Sequence, residues 1–295
     1  MNWENQLIWI YITVCSFFNQ HKETIKFRSE KCFKPEFTDE EVATVYLFGI
    51  IQFHSNKKEI HMHVKQFLHE WFPCLPEYEA FNYRVNQQSE IFHVLCNFII
   101  SQLKCDRCYV ENLVLVDSLP IMLATGFRAT KAKVARGTAD FGYCASKNIY
   151  YHGMKLHMMA KYNESILPTP KEHKLTKAST HDLPAIKKLF YKMKNTKIIG
   201  DKAYVSKALK RDLKKNNVEI HTPVKFSKFK KVLSSDEETY SEIVSSFRQP
   251  IESMFNWLIE KTGIQKASKV RSTNGLLTHV FGRLAGGLLL LHFSF

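Results

Sequence analysis

Two short stretches decide the fold class of this sequence: Leu-Val-Leu-Val-Asp at 113–117 and Lys-Ile-Ile-Gly-Asp at 197–201. Each is an apolar run typical of a buried strand, and each ends in an aspartate. A carboxylate at the end of a core strand costs free energy unless it is solvated, paired or bound to a metal ion. Asp117 and Asp201 are therefore candidate functional residues, although such an aspartate is more often a turn residue or a helix cap.

A third acid, Glu252, lies 51 residues after Asp201, in a predicted helix over 242–261. The apolar face of this helix recurs at i, i+3, i+4, i+7 and i+8 and consists of Ile251, Met254, Phe255, Leu258 and Ile259. Glu252 falls at the edge of that face, one turn after Arg248. Pro250 is expected in the first turn or at a kink. The helix can therefore direct Glu252 toward the strand ends.

Three converging carboxylates suit two divalent cations, which hold the attacking and leaving oxygens of a phosphodiester. Mg²⁺ prefers such hard oxygen ligands. Spacing alone leaves other interpretations open. Glu242 and Glu260 lie near the position of the third acid, while Asp182 is explained as a helix start and Asp140 as a turn residue.

The pattern of apolar residues predicts two domains. Residues 1–108 show helical spacing and few strand patterns, which indicates an all-helical domain. Residues 109–295 predict an α/β domain, a mixed sheet flanked by helices, with one of its strands at about 165–167. A final helix over 274–292 is expected to pack on that sheet.

The chain is strongly basic, with 42 Lys and Arg against 28 Asp and Glu, and its composition excludes collagen, coiled-coil and wholly disordered classes. The surplus is uneven, since residues 1–108 contain 11 of the basic and 13 of the acidic residues and leave 31 and 15 for the rest. The cationic surface therefore belongs to 109–295, and it predicts a polyanionic partner such as nucleic acid.

The cations of this second domain form clusters. The clusters are Arg128, Lys131, Lys133 and Arg136; Lys207, Lys210, Arg211, Lys214 and Lys215; Lys225, Lys228, Lys230 and Lys231; and the smaller set Lys266, Lys269 and Arg271. Phe226 and Phe229 lie within the third cluster and permit base stacking as well as phosphate contact. A solvated face is the default for any one cluster, but together they predict contact with phosphates.

Cysteines and apolar runs indicate a reduced, non-membrane setting. Seven cysteines scattered through the chain do not form a disulfide framework, and the single Cys-x-x-Cys of Cys105 and Cys108 has no second pair to complete a zinc site. The apolar runs at 7–18 and 284–291 are shorter than the ~20 residues of a membrane span. A cytoplasmic location and no membrane partner are expected.

Several segments in this order resemble the DDE transposases of bacterial insertion sequences, within the RNase H-like, retroviral-integrase superfamily, and most of all insertion-sequence family nine-eight-two. The segments are VLVDSLP (114–120), GYCASKNIYYHGMKLH (142–157), ASTHD (178–182), IIGDKAY (198–204), RQPIESMFNWL (248–258) and, in the first domain, LPEYEAFNYRVN (75–86). The resemblance spans nearly the whole chain, and the order and spacing of the segments are more specific than any one of them.

This resemblance implies an RNase H-like catalytic domain with Asp117, Asp201 and Glu252 as the catalytic and metal-binding residues. The implied cofactor is Mg²⁺, as a pair of ions, with Mn²⁺ as a substitute. The implied reaction is cleavage at transposon ends followed by attack of the 3′-OH on target DNA. The expected partners are double-stranded DNA, as terminal inverted repeats and target, and a second copy of the chain, on the nucleoid in the bacterial cytoplasm.

One part of the family pattern differs here. Many related transposases carry Tyr-x2-Arg-x3-Glu-x6-Lys around the third acid. Arg248 and Glu252 match this pattern, but Ser245 and Ile259 stand at the Tyr and Lys positions. Arg248 can therefore orient the Glu252 carboxylate, contact a DNA phosphate or form only a surface i, i+4 pair, and Lys261 is the nearest candidate for the missing lysine.

Two other functions stay open from the sequence. One is a metal-dependent nuclease of the same fold that cuts without strand transfer. The other is a non-catalytic DNA-binding protein derived from a transposase. The helices of 1–108 are expected to recognise DNA ends, to mediate dimerisation, or both.

Overall fold

A 13-residue strand, β1 (Leu113–Thr125), lies at the centre of a six-stranded mixed sheet. The computed structural model describes residues 2–22, 35–52, 56–103, 112–164, 167–204, 206–225 and 232–293. The chain folds into two compact units: one contains residues 1–102 and 258–295, and the other contains residues 103–257.

The second unit contains the sheet. Its elements are β1, α6 (Phe127–Lys131), β2 (Asp140–Cys144), β3 (Ile149–Lys161), β4 (Thr169–Lys177), α7 (Asp182–Phe190), β5 (Thr196–Ile199), α8 (Lys207–Lys214), β6 (Val218–His221) and most of α9 (Ser235–Thr262). The strand order is β2-β3-β1-β5-β6, and β4 also pairs with β3. β3 is antiparallel to β1, β2 and β4, whereas β5 and β6 run parallel to β1. The predicted fold class, a mixed sheet flanked by helices, is confirmed.

Two strand boundaries differ from those predicted. β1 does not end at Asp117 but continues to Thr125, because β3 pairs with it as far as Thr125. The strand expected at 165–167 is instead β4, Thr169–Lys177; residues 165 and 166 lie outside the described part of the chain. β4 lacks the apolar pattern that predicts a buried strand, since its sequence is largely polar and only three of its nine residues are buried.

Two helices cover the apolar face of the sheet around β1. Ile186 and Phe190 of α7 and Leu209 and Leu213 of α8 pack in one cluster with Val114, Val116, Ile198 and Ile220 of the strands. Because these side chains are fully or nearly fully buried, they hold β1 and β5 rigidly side by side.

The first unit is all helical. Its elements are α1 (Trp3–Gln20), α2 (Asp39–Ile51), α3 (Lys57–Phe67), α4 (Tyr78–Gln87), α5 (Ser89–Gln102), the end of α9 and α10 (Thr273–Phe293). The all-helical character expected of the N-terminal region is confirmed. Thr38 begins α2 with a capping box, in which its hydroxyl accepts from Glu41 N–H and the Glu41 carboxylate accepts from Thr38 N–H.

The last helix, α10, lies in the core of the helical unit. A Cβ at Gly282 would meet the Tyr46 ring at 2.5 Å, and Cys96 Sγ lies 3.3 Å from the carbonyl oxygen of Phe281. α10 therefore groups with the helices of residues 1–102, whereas the sequence predicted that this helix packs on the sheet and that one domain spans 109–295. The helix is apolar all round, so its composition requires burial but does not specify the partner.

By length and apolar composition alone, α10 is long enough to cross a membrane. Most of its apolar stretch is buried inside the structure, against the other helices of its unit. Packing in a helical core therefore accounts for this composition.

Candidate active site

Asp117 and Asp201 lie where two parallel strands separate. β5 pairs with β1 from Leu113 as far as Leu115, which lies opposite Ile199. If this register continued by two residues, Asp117 would lie beside Asp201. β1 goes on past this point with β3, whereas β5 ends at Ile199 and Gly200 N–H donates to the His221 carbonyl of β6. Asp117 and Asp201 therefore both follow the last residues at which β1 pairs with β5.

Position 200 requires glycine, because the neighbouring side chains leave no room for a Cβ. A Cβ at Gly200 would lie 2.7 Å from Tyr204 Cδ2 and 2.8 Å from Val116 Cγ1. The Asp201 carboxylate then accepts a 2.6 Å hydrogen bond from Lys202 N–H, which fixes its orientation. The close packing around Gly200 positions the second acid.

The third acid lies in the middle of a long helix. α9 begins at Ser235, seven residues before the predicted start at 242, and three acids in its first turn favour that start because they face the positive end of the helix dipole. Pro250 consequently lies inside the helix, not in its first turn, and removes one backbone donor between Arg248 and Glu252. The apolar face was predicted correctly, since Ile251, Met254 and Phe255 are buried and Glu252 is exposed.

Arg248 connects two of the three acids. Its Nη1 lies 3.1 Å from Asp201 Oδ1, and its Nη2 donates to Glu252 Oε1 on the next turn. The arginine side chain is 21% exposed, against 47% and 46% for the two carboxylates, so the pair is partly shielded from water. Three residues that were predicted from two separate segments therefore form one ion cluster.

Asp117 belongs to the same electrostatic cluster but is more buried. Burial raises the pKa of Asp117 to about 6, while Arg248 and a 2.8 Å hydrogen bond from Ser118 N–H oppose that rise. Asp201 and Asp182 raise the pKa further through charge repulsion. A cation that binds beside such a carboxylate stabilises its ionised form, which burial and the nearby like charges disfavour.

A fourth acid, Asp182, is part of this region although its helix-start role seemed sufficient from the sequence. It does begin α7, and its Oδ1 also accepts from Ser118 Oγ at 3.1 Å and Lys155 Nζ at 3.2 Å. His157 Nδ1 lies 3.8 Å from the same oxygen, and burial lowers the pKa of His157 to about 4. The signal in the sequence was the spacing of Lys155 and His157, which place alternate side chains on the same face of β3.

Tyr204 is the other residue that sequence reasoning missed. Its side chain is 1% exposed, and its hydroxyl has no hydrogen-bond partner within the described residues. Burial raises the pKa of Tyr204 well above its usual value, and the charges of Asp182, Asp117 and Asp201 raise it further. A buried phenol therefore lies beside the acids with its donor unused.

The donor set of this site suits a divalent cation. Asp117, Asp201 and Glu252 supply hard carboxylate oxygens, the ligands that Mg²⁺ and Mn²⁺ prefer. Arg248 is the cation that these acids share here, and within the described residues no group of three His, Cys, Asp or Glu side chains is arranged to hold a metal ion. By their chemistry the residues fit the ion, but Arg248 must release the carboxylates before they can act as ligands.

The predicted DNA-binding residues lie in several places. Arg128, Lys131, Lys133 and Arg136 are exposed on α6 and just after it, and Lys225 is exposed after β6. Lys228, Lys230 and Lys231 lie outside the described residues. Lys261 belongs to the helical unit, where its Nζ lies 3.2 Å from Glu260 Oε1.

Exposed aromatic rings accompany the α6 cations. The Phe141 and Tyr150 rings stack with centroids 5.3 Å apart, and the Tyr143 ring lies 4.9 Å from that of Tyr150. Gly126 N–H, just before α6, donates to the Tyr150 carbonyl, and Phe141 and Arg136 line one cavity of about 540 Å³. Cations and stacked rings together form a surface suited to nucleic acid.

The sequence matches a family model described as "Transposase DDE domain" over residues 107–272, more than half of the chain. A crystal structure of a pre-cleavage Mos1 transpososome aligns at 12% identity with a TM-score of 0.23, over 100% of this chain and 98% of that chain. No curated protein matches the chain in sequence.

Proposed function

The chain belongs to the family of the transposase DDE domain, and from that premise we propose that it cuts DNA at transposon ends and joins the freed 3′-OH to target DNA. One observation carries the proposal: Asp117, Asp201 and Glu252, from three separate segments, form one charge cluster with Arg248. The expected substrates are DNA phosphodiesters, which the basic surface of the sheet unit attracts.

The three acids share one role in the proposed site. Asp117, Asp201 and Glu252 would hold Mg²⁺, as a pair of ions, or Mn²⁺ in its place. A bound divalent cation would supply charge neutralisation and activation of water or the 3′-OH. Asp117 is held in place by the Ser118 N–H and Asp201 by the Lys202 N–H, so both carboxylates have fixed orientations before substrate binds.

Arg248 is proposed to exchange partners during the reaction. In the absence of DNA it neutralises Asp201 and Glu252. When DNA enters, the guanidinium can bind a phosphate oxygen instead of the two carboxylates. Carboxylates and phosphates both accept hydrogen bonds from its planar array of donors. The arginine thus occupies both carboxylates until substrate arrives.

The DNA path is proposed to cross Arg128, Lys131, Lys133 and Arg136 and the neighbouring rings of Phe141 and Tyr150. Lys225 and the undescribed Lys228, Lys230 and Lys231 would add a second contact, and Lys261 a third. The helical unit is proposed to recognise the ends or to mediate pairing of two copies on DNA, in the bacterial cytoplasm.

A reaction on the DNA that flanks the gene tests the proposal. A plasmid carrying both flanking segments is incubated with the full chain and Mg²⁺, and nicks at the segment ends and joined products are mapped by sequencing. Wild type is expected to yield both products, and Asp117→Asn neither.

The two other functions predict different products. Cutting without joining of a pre-nicked end would identify a nuclease without strand transfer. DNA binding with neither product, unchanged by Asp117→Asn, would identify a non-catalytic DNA-binding protein. Either result would overturn the transposase assignment.

A further inference from the structure

The helical unit contains a cavity of about 720 Å³ that the proposed active site does not use. It forms between the start of α3, one side of α4 and the loop before α10. All of its lining residues belong to the helical unit. The segment 75–86, which resembled the transposase family, supplies Tyr78, Asn82 and Asn86 to this wall.

The charge of the cavity is entirely positive. Its cations come from segments some 200 residues apart and are Lys57, Lys58, Lys266, Lys269, Arg271 and Arg283, and no acid is among its described lining residues. Lys58, Lys266 and Lys269 are exposed and, within the described residues, form no ion pair. Such a concentration of cations attracts an anion.

The inner wall of the cavity adds to this preference. Lys57 Nζ donates to Asn86 Oδ1 at 2.5 Å and lies 5.8 Å above the Tyr46 ring, and burial together with Arg283 lowers the pKa of Lys57 to about 8. Ser272 caps the start of α10, so the positive end of that 21-residue helix also faces the cavity. Glu59 interacts with Arg283 but does not line the cavity.

The size and the polar groups of the cavity indicate more than a phosphate. A volume of about 720 Å³ is in the range of pockets for whole small molecules. The Asn82 carboxamide can present its Nδ2 donors to the acceptors of a base edge, since its Oδ1 already accepts from Asn86 Nδ2 at 3.4 Å. The rings of Tyr46 and Tyr78 provide aromatic surface. A base can enter such a recess only if it is unpaired.

We propose that this cavity binds an unpaired nucleotide of a DNA strand, with Lys266 and Lys269 on its phosphate and Asn82 facing its base. The proposal rests on the proposed function only in taking DNA as the ligand. It assigns recognition of unpaired DNA to the helical unit, through cations from both ends of the sequence.

Fluorescence anisotropy of the full chain tests this proposal, with 5′-fluorescein-labelled dT12 as the single strand and a 12-base-pair duplex as comparison. Lys266→Ala/Lys269→Ala is expected to weaken dT12 binding by about tenfold, as two lost phosphate contacts predict, and duplex binding by much less. Asn82→Ala, which changes no charge, is expected to weaken only dT12 binding.

The control variant Lys187→Ala/Lys188→Ala removes the same charge from exposed α7 and is expected to lower both affinities by the same small factor. Equal losses for dT12 and duplex in Lys266→Ala/Lys269→Ala, or no effect of Asn82→Ala, would overturn the proposal. Displacement of dT12 by micromolar thymidine monophosphate would also overturn it in favour of a free nucleotide.

Measuring dT12 binding in the inactive Asp117→Asn chain separates this proposal from the proposed function, because that binding is then independent of DNA cutting. If the cavity variants bind dT12 like wild type while the wild type still cuts and joins DNA, only the cavity assignment fails. If the wild type neither cuts nor joins, the transposase assignment fails whatever the cavity binds.

Discussion

Arg248 Nη1 lies 3.1 Å from Asp201 Oδ1 and thereby ties the middle of α9 to the end of β5. The same guanidinium bonds Glu252, so one side chain brings together two acids that are 51 residues apart in the sequence. The arrangement resembles a metal site in which an arginine takes the place of the ion.

Arg248→Gln is expected to bind Mn²⁺ about tenfold more tightly than wild type in the absence of DNA, because the guanidinium no longer competes for Asp201 and Glu252. Isothermal titration calorimetry measures this affinity. Arg211→Gln, an exposed arginine on α8, serves as the control and should bind like wild type. Weaker binding by Arg248→Gln would mean that Arg248 helps to assemble the ligands.

Tyr204→Phe is expected to raise the free energy of unfolding by about 1 kcal/mol, because it removes a buried hydroxyl without a partner in the described structure. Cleavage should nevertheless fall several-fold if that hydroxyl serves the neighbouring acids. Urea unfolding and the plasmid assay give the two quantities. Tyr151→Phe, another buried phenol, is the matched control and should leave cleavage unchanged. Full cleavage by Tyr204→Phe would remove this residue from the site.

His279 is expected to make stability depend on pH. Its Nε2–H donates to the Ile264 carbonyl and its Nδ1 accepts from Arg283 Nε, and burial lowers the pKa of His279 to about 3. The unfolded chain binds the proton first, so stability is complete above about pH 6.5 and is lost as pH falls toward 3. Between pH 7 and 5 the loss should be about 2 kcal/mol.

Urea unfolding of wild type and His279→Gln across this range isolates the effect. The variant should lack this part of the pH dependence, whereas His69→Gln, at an exposed position, should retain it. Parallel pH curves for wild type and His279→Gln would contradict the assignment.

Gly200→Ala is expected to destabilise the sheet unit by about 1–3 kcal/mol and to abolish cleavage, because the new Cβ would overlap Val116 and Tyr204. Thermal unfolding and the plasmid assay measure both effects. Val116→Ala in the same chain should recover part of the activity by removing one contact. Loss of activity equal in the single and double variants would point to the backbone turn instead of the overlap.

Replacing Arg128, Lys131 and Lys133 by Ala is expected to weaken duplex binding and to reduce the slope of log affinity against log salt by up to about 3. Each exposed cation that contacts a phosphate contributes to that slope. Lys187, Lys188 and Lys192, replaced together, remove the same exposed charge from α7 and the turn after it and should leave the slope near its wild-type value. An unchanged slope in the first variant would exclude the α6 surface from the DNA path.

Local patterns in the sequence were enough to predict the fold class and to select Asp117, Asp201 and Glu252 as candidate acids. Alternating and continuous apolar runs specify strands and helices over a few residues, so LVLVD and the face around Glu252 could be read directly. They were less informative about boundaries, because pairing with β3 extends β1 past Asp117 and helix-dipole stabilisation moves the start of α9 to Ser235.

The sequence by itself determined that a mixed sheet and a helical region would form, since burial of apolar runs is a local requirement. Only the tertiary structure decided that Arg248 pairs with Asp201, that Tyr204 and Asp182 lie beside Asp117, and that α10 packs among the first helices. It also joined Lys57 to the cations that follow residue 265. Those relationships depend on which buried surfaces fit each other, and that fit involves residues far apart in the chain.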